Sequence, residues 1–103
     1  MDMRMLQNMM KDAQKMQKKM AEAQEQFAEE RFEASAGGGM VKAVVDGKQR
    51  IKEIKLSPEA LAEKDATLLE DLIVTAIVEA QRTSETKMNE ALAQITGGFQ
   101  LPF

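Results

Sequence analysis

The 103-residue chain contains no cysteine, histidine, tryptophan or tyrosine. Without cysteine there can be no disulfide, thiolate metal site or thiol nucleophile. Without histidine the commonest general base and the commonest metal ligand are missing. Aromatic residues amount to four phenylalanines, while methionine occurs nine times, so much of the apolar packing uses a flexible, adaptable side chain. No run of apolar residues approaches the roughly 20 needed to cross a bilayer. Residues 1–20 lack the apolar stretch of a signal peptide and carry five basic residues, so a cytoplasmic protein is expected. A chain of this length suggests a single domain over residues 1–103.

Charge is plentiful, at 30% of residues, and its average hides its distribution. The formal net charge is −3. Residues 1–19 carry Arg4, Lys11, Lys15, Lys18 and Lys19 against Asp2 and Asp12, a net of +3. Residues 20–33 carry Glu22, Glu25, Glu29, Glu30 and Glu33 against Arg31, a net of −4. An acidic chain therefore has a basic end.

Residues 3–30 predict a helix. Leu6, Met9, Ala13, Met16, Met20, Ala23 and Phe27 alternate in steps of 3 and 4, a heptad seam uninterrupted by Pro or Gly. The intervening residues are mostly Lys, Gln, Glu and Ala, which favour helix. At 1.5 Å per residue such a helix spans about 42 Å, whereas a compact domain of about 100 residues has a radius of gyration near 13 Å. Part of the helix must overhang, and a second copy of the chain is the simplest cover for its apolar seam.

The period then changes. Residues 31–36 form a short strand ending in Gly37-Gly38-Gly39, and residues 40–45 a second, with Val41, Ala43 and Val45 on one face. Asp46-Gly47 signals a tight hairpin in which glycine supplies a positive φ, and residues 49–56 return. Ile54 and Leu56 share a face of that strand but Ile51 falls on the other, which a bulge or burial on both faces would explain. Ser57 caps a helical turn opened by Pro58. Asp65 then caps a long helix to about Ile95, whose main apolar face is Leu69, Ile73, Ala76, Ile77, Ala80, Ser84, Met88, Ala91 and Ile95. Val74 and Val78 form a second flank. Gly97-Gly98 stops this helix, and an apolar tail, Phe99-Gln100-Leu101-Pro102-Phe103, follows. The expected fold is α+β, in the order α-β-β-β-α: a long N-terminal helix, a three-stranded antiparallel sheet and a long C-terminal helix.

Catalysis is not expected. Ser35, Ser57 and Ser84 have no base placed near them by sequence, and the carboxylate pairs Glu29/Glu30 and Glu70/Asp71 read as solvated helix faces. Gly37-Gly38-Gly39 lacks the Lys-Ser/Thr ending of a phosphate loop and opens no helix. No catalytic residue, metal site, cofactor or small-molecule substrate is assigned. What stands out is a basic stripe: Arg4, Lys11, Lys15 and Lys18 lie within about 60° on a helical wheel at 100° per residue, opposite the apolar seam and with Lys19 beside them. Such a row can be a solvated face or a line of phosphate contacts with little base specificity, since no recognition helix or stacking aromatic accompanies it. A second basic cluster, Lys42, Lys48, Arg50, Lys52 and Lys55, is partly offset by Asp46 and Glu53 and reads as sheet-surface solvation.

Several stretches match a known family in order. They are Met9-Met10-Lys11-Asp12-Ala13-Gln14-Lys15-Met16-Gln17, Gly39-Met40-Val41-Lys42-Ala43-Val44-Val45-Asp46-Gly47, Ile54-Lys55-Leu56-Ser57-Pro58-Glu59, Leu69-Glu70-Asp71-Leu72-Ile73 and the tail from Gly97 to Phe103. Over nearly its whole length the chain resembles the YbaB/EbfC family of bacterial nucleoid-associated proteins. The resemblance implies a homodimer formed through sheet and helices, with protruding helical arms like tweezers. It implies a protein of the cytoplasm, located on the nucleoid, whose partners are double-stranded DNA and a second copy of itself, with no membrane partner. It places DNA contacts on the protruding helix ends, here Arg4, Lys11, Lys15, Lys18 and Lys19, with Arg82 and Lys87 as secondary candidates. The dimer contacts are expected on Leu6, Met9, Met16, Met20, Val41, Val45, Val74 and Val78. The competing expectation is a protein-interaction module whose Met-rich seam grips a partner helix or peptide.

Overall fold

A computed structural model describes residues 2–97, so the expected apolar tail lies outside the described residues. Helix α1 spans Met3–Ala28, strands β1, β2 and β3 span Phe32–Ala36, Val41–Val45 and Ile51–Leu56, a short α2 spans Pro58–Ala62, and α3 spans Ala66–Ile95. The strands form one antiparallel sheet in the order β1-β2-β3. The expected order of elements is the observed one.

Local chemistry accounts for the element boundaries. The Asp2 carboxylate accepts the Arg4 N–H at 2.7 Å and caps α1. The Ser57 hydroxyl accepts from Ala60 N at 3.2 Å with Pro58 in the first turn of α2, and the Asp65 carboxylate accepts from Leu68 N at 3.0 Å to start α3. Three consecutive glycines, Gly37 to Gly39, hold φ between 65° and 98° and turn β1 into β2.

The core is thin and lies between α3 and two of the three strands. Val41, Ala43 and Val45 of β2 and Ala76 and Ala80 of α3 have no exposed surface, and Leu69, Leu72, Ile73 and Ile77 pack around them. The two alanines face the sheet, which allows α3 to approach the strands closely. Burying each valine contributes about 1.5–3 kcal/mol.

The hairpin differs from the expectation in one respect. Gly47 does not hold the positive φ; Gln49 does, at 66°. Gly47 is needed for another reason: a Cβ there would collide with the backbone carbonyl of Phe27, because the hairpin loop packs directly on the end of α1. The phase ambiguity of β3 resolves through a bulge. Val44 pairs with Glu53 but Val45 pairs with Ile51, so Lys52 is the extra residue. The bulge brings Ile51, Ile54 and Leu56 onto one face, beside Val45, Ala43 and Val41 respectively.

The molecule is far from compact. It measures 72 × 25 × 16 Å with a radius of gyration of 20.0 Å, against about 13 Å for a globular chain of this length. Its accessible surface is 7837 Å², where a compact monomer of 11.5 kDa would expose about 5,800 Å². The excess comes from an arm. Phe27 of α1 abuts the hairpin loop that Ser84 of α3 also touches, and further out Met16 and Ile95 border a common groove. The two helices therefore run antiparallel away from the sheet. Among the described residues, α1 continues past the level of Ile95 without α3 beside it for about nine residues, or about 14 Å.

Candidate nucleic-acid interface

The arm carries the basic stripe. Arg4, Lys11, Lys15, Lys18 and Lys19 are all exposed along α1. Among the described residues none of the five has a carboxylate within ion-pairing distance, whereas six ion pairs form elsewhere. The two secondary candidates on α3 differ in this respect: Arg82 lies 3.1 Å from Glu79 and Lys87 lies 3.7 Å from Glu90. The hairpin cluster is also largely committed. Lys42 pairs with Glu33, Lys55 with Glu53, and both Arg50 and Lys52 with Asp46. Of the described cations without a carboxylate partner, five lie along α1, and the others, Arg31, Lys48 and Lys64, are scattered over the body.

That face reverses sign along its length. Glu22, Glu25 and Glu29 continue the same side of α1 toward the body, within the 3.6-residue period that aligns Arg4, Lys11, Lys15 and Lys18. A polyanion is attracted at the tip and repelled at the base. The sign changes within a few residues of Lys19, a distance comparable to the Debye length of about 8–10 Å at physiological salt.

The apolar candidates fall into three settings. Leu6, Met9 and Met16 are exposed on the arm and Met20 is half-buried. Val74 and Val78 are exposed on α3, at 59% and 43%. Val41 and Val45, by contrast, are fully buried in the chain's own core, so the sheet's open apolar surface is made by other residues. It belongs to Ile51, Ile54 and Leu56, which are 36–49% exposed because α3 covers β1 and β2 and leaves β3 bare. Gln81 of α3 donates from Nε2 to the Gln49 carbonyl at 3.1 Å, which orients that side of the helix toward the β3 end of the hairpin. Val74 and Val78 lie on the same side at helical spacing, so helix and strand residues border one apolar step. Sequence periodicity could not place β3 on this surface, because the bulge hides its phase.

A second cluster invisible to motif reading anchors the hairpin. Asp46 is fully buried. Its carboxylate accepts from Lys48 N at 2.9 Å, Arg50 N at 3.0 Å and Arg50 Nε at 2.9 Å, with Lys52 Nζ 3.8 Å away. Burial pushes the carboxyl pKa up, but the hydrogen bonds from Arg50 and Lys48 and the Arg50 charge outweigh it and hold the value at about 2, below the ordinary 3.8. Ser84, also fully buried, donates to the Asp46 carbonyl at 2.9 Å. This serine, which has no base beside it in sequence, pins α3 to the hairpin.

No helix among the described residues is long and apolar enough to cross a membrane. Compared with known proteins, residues 3–99 match the model of the YbaB/EbfC DNA-binding family. The chain is 40% identical over 95 residues to a nucleoid-associated protein of Caldanaerobacter subterraneus subsp. tengcongensis, covering 92% of this chain and 86% of that one. It is 44% identical over 91 residues to a nucleoid-associated protein of Ruminiclostridium cellulolyticum, covering 88% and 79%. The crystal structure of an uncharacterized protein from Helicobacter pylori shares the fold, with a TM-score of 0.69 at 18% identity over 93% of this chain and 98% of that one. By sequence over nearly all its length, and with the fold expected of it, this chain belongs to the YbaB/EbfC DNA-binding family.

Proposed function

We propose that the protein acts on the bacterial nucleoid as a non-catalytic homodimer that binds double-stranded DNA through the basic face of α1. The observation that carries the reading is the uncommitted cationic stripe, Arg4, Lys11, Lys15, Lys18 and Lys19, on a helix that projects from the body. Lysines on such a face meet phosphates as point charges and carry no sequence information, so binding is weakly sequence-specific. The acidic stretch nearer the body confines the duplex to the outer half of the arm and keeps affinity modest and salt-dependent. Arg82 and Lys87 contribute less, because each already has a carboxylate partner.

A second copy is supported by the apolar step left open by α3. Ile51, Ile54 and Leu56 form an exposed apolar row on β3, and Val74 and Val78 are exposed on the side of α3 that faces the β3 end of the hairpin. Covering them by symmetry brings two arms to one assembly. Two arms on one duplex can change its path, and nucleoid organisation, gene expression and DNA protection are the processes that such a change would serve.

The test is a DNA titration across a salt series, comparing wild type with the variant Lys11→Glu, Lys15→Glu, Lys18→Glu, Lys19→Glu, after light scattering has established the oligomeric state of both. The expected result is a steep negative salt slope for the wild type and at least about a hundredfold weaker binding for the variant. If the wild type fails to bind at low salt while remaining a folded dimer, the DNA reading is wrong. The exposed methionines of the arm favour the second reading in that case, a partner helix or peptide held on Met9 and Met16. Its signature is binding that survives high salt and is lost in Met9→Lys.

A further inference from the structure

One face of α1 carries charge in a pattern that is its own complement. Lys11, Lys15, Lys18, Glu22, Glu25 and Glu29 lie within about 80° on a helical wheel at 100° per residue, opposite the apolar seam, and all six are exposed. Each basic residue stands as far before Met20 as an acidic one stands after it: Lys11 and Glu29 by nine residues, Lys15 and Glu25 by five, Lys18 and Glu22 by two. Glu29 is the C-cap of α1 and keeps a helical backbone, at φ −86° and ψ −12°, so the row is unbroken to its last member. None of the six has an ion-pair partner in its own chain among the described residues.

We propose that this face is a contact between two copies of the chain, their α1 helices running antiparallel about a two-fold axis at Met20. Such an axis sets each residue of one helix opposite the residue equally far beyond the axis on the other. Every lysine of the row then meets a glutamate of the second copy: Lys11 with Glu29, Lys15 with Glu25 and Lys18 with Glu22. Symmetry doubles these three pairs to six. Packed helices lie about 8–10 Å apart, within reach of Lys and Glu side chains. A parallel, in-register arrangement would set lysine against lysine and glutamate against glutamate, so the same charges select the antiparallel one. A foreign helix would need this spacing by coincidence, whereas a second copy has it by identity.

The contact is separate from the apolar step on β3 and α3, so one assembly can use both. Exposed ion pairs are individually weak and are screened by salt, so the contact is reversible and depends on the whole row. Its consequence for DNA rests on the function proposed above. Self-contact occupies Lys11, Lys15 and Lys18 until a duplex displaces the second copy's glutamates, while Arg4 and Lys19 lie outside the paired set.

The test uses the full-length protein without DNA. Sedimentation velocity at about 20 mM and about 500 mM salt, where the Debye length falls several-fold, compares wild type with Lys15→Glu, Glu25→Lys and the combination of the two. Lys64→Glu, at an exposed site off the row, changes net charge as much as Lys15→Glu does. At low salt the wild type should reach at least about twice its high-salt mass. Each single variant on the row should need at least about tenfold more protein to do so. The combined variant restores every pair with one sign reversed, so it should associate like the wild type, as should Lys64→Glu. Equal wild-type masses at both salts would overturn the proposal, as would a combined variant no better than the singles. A Lys64→Glu variant as weak as Lys15→Glu would also overturn it, by reducing the effect to net charge. Any of these failures leaves the DNA reading standing, since the titration above measures that separately.

Discussion

The hairpin body and the arm of this molecule are built on opposite principles. In the body, small and β-branched side chains (Ala43, Val45, Ala76, Ala80) interlock without exposed surface, and the one buried carboxylate, Asp46, is surrounded by donors. In the arm, long unbranched side chains dominate, the described methionines before residue 20 stay exposed, and the lysines of α1 have no ion-pair partners among the described residues. The body tolerates little change because close-packed atoms and satisfied hydrogen bonds leave no room to relax. The arm tolerates much, since exposed side chains have room to adjust. Rigidity is concentrated where the arm is anchored: Phe27, Gly47, Asp46 and Ser84 form the joint between helix, hairpin and helix.

This contrast can be broken by substitution, and the largest effect is expected at the joint. Gly47→Ala forces a Cβ into the Phe27 carbonyl, so chemical denaturation should show a loss of about 1–3 kcal/mol. Met10→Gln on the arm should cost less than about 0.5 kcal/mol; comparable losses would mean that the arm is as tightly packed as the body. A second large effect is expected from acid. Because the Asp46 pKa is depressed when folded, its contribution to stability is full above the ordinary 3.8 and is lost as pH falls toward about 2. Asp46→Asn should remove that component of the acid transition, with a lower melting temperature at neutral pH. An unchanged acid profile in Asp46→Asn would show that another group controls it.

Smaller effects sharpen the comparison. Ser84→Ala should cost about 1 kcal/mol, since the Asp46 carbonyl keeps a second donor, the Gln49 N–H at 3.0 Å. A decrease several times larger would mean that the hairpin depends on this one bond. The smallest stability change is expected for Lys15→Gln, which should leave denaturation unmoved. In the DNA titration it should lower the slope of log affinity against log salt by about 0.9 for each phosphate that Lys15 neutralises in the wild type. An unchanged slope would remove Lys15 from the interface.

Much of this architecture is legible in the amino-acid order. Alternating steps of 3 and 4 residues define α1, Ser57 and Asp65 mark helix starts, and the grouping of Lys and Arg before residue 20 marks the basic face. These are local properties, set by the helical period, by capping hydrogen bonds and by charge, and they need no knowledge of what packs on what. The site was less legible. That Arg82 and Lys87 are engaged by neighbouring carboxylates while the α1 lysines are not depends on rotamers and surroundings, although the i,i+3 spacing of Glu79 and Lys87 to their partners was there to be seen.

Tertiary structure alone decided the rest. A one-residue bulge at Lys52 moved Ile51 to the face of Ile54 and Leu56, because strand faces alternate and a single extra residue inverts the phase. The width of one helix against three strands left β3 bare and buried Val41 and Val45 instead. Gly47 serves close approach and not turn geometry, since its neighbour in space, Phe27, is 20 residues away in the chain. The sequence by itself determined which elements form and where positive charge collects, since both follow from neighbours within a helical turn or a strand pair. Which apolar residues face solvent, and which polar ones are locked inside, was set only when distant segments came to share the same space.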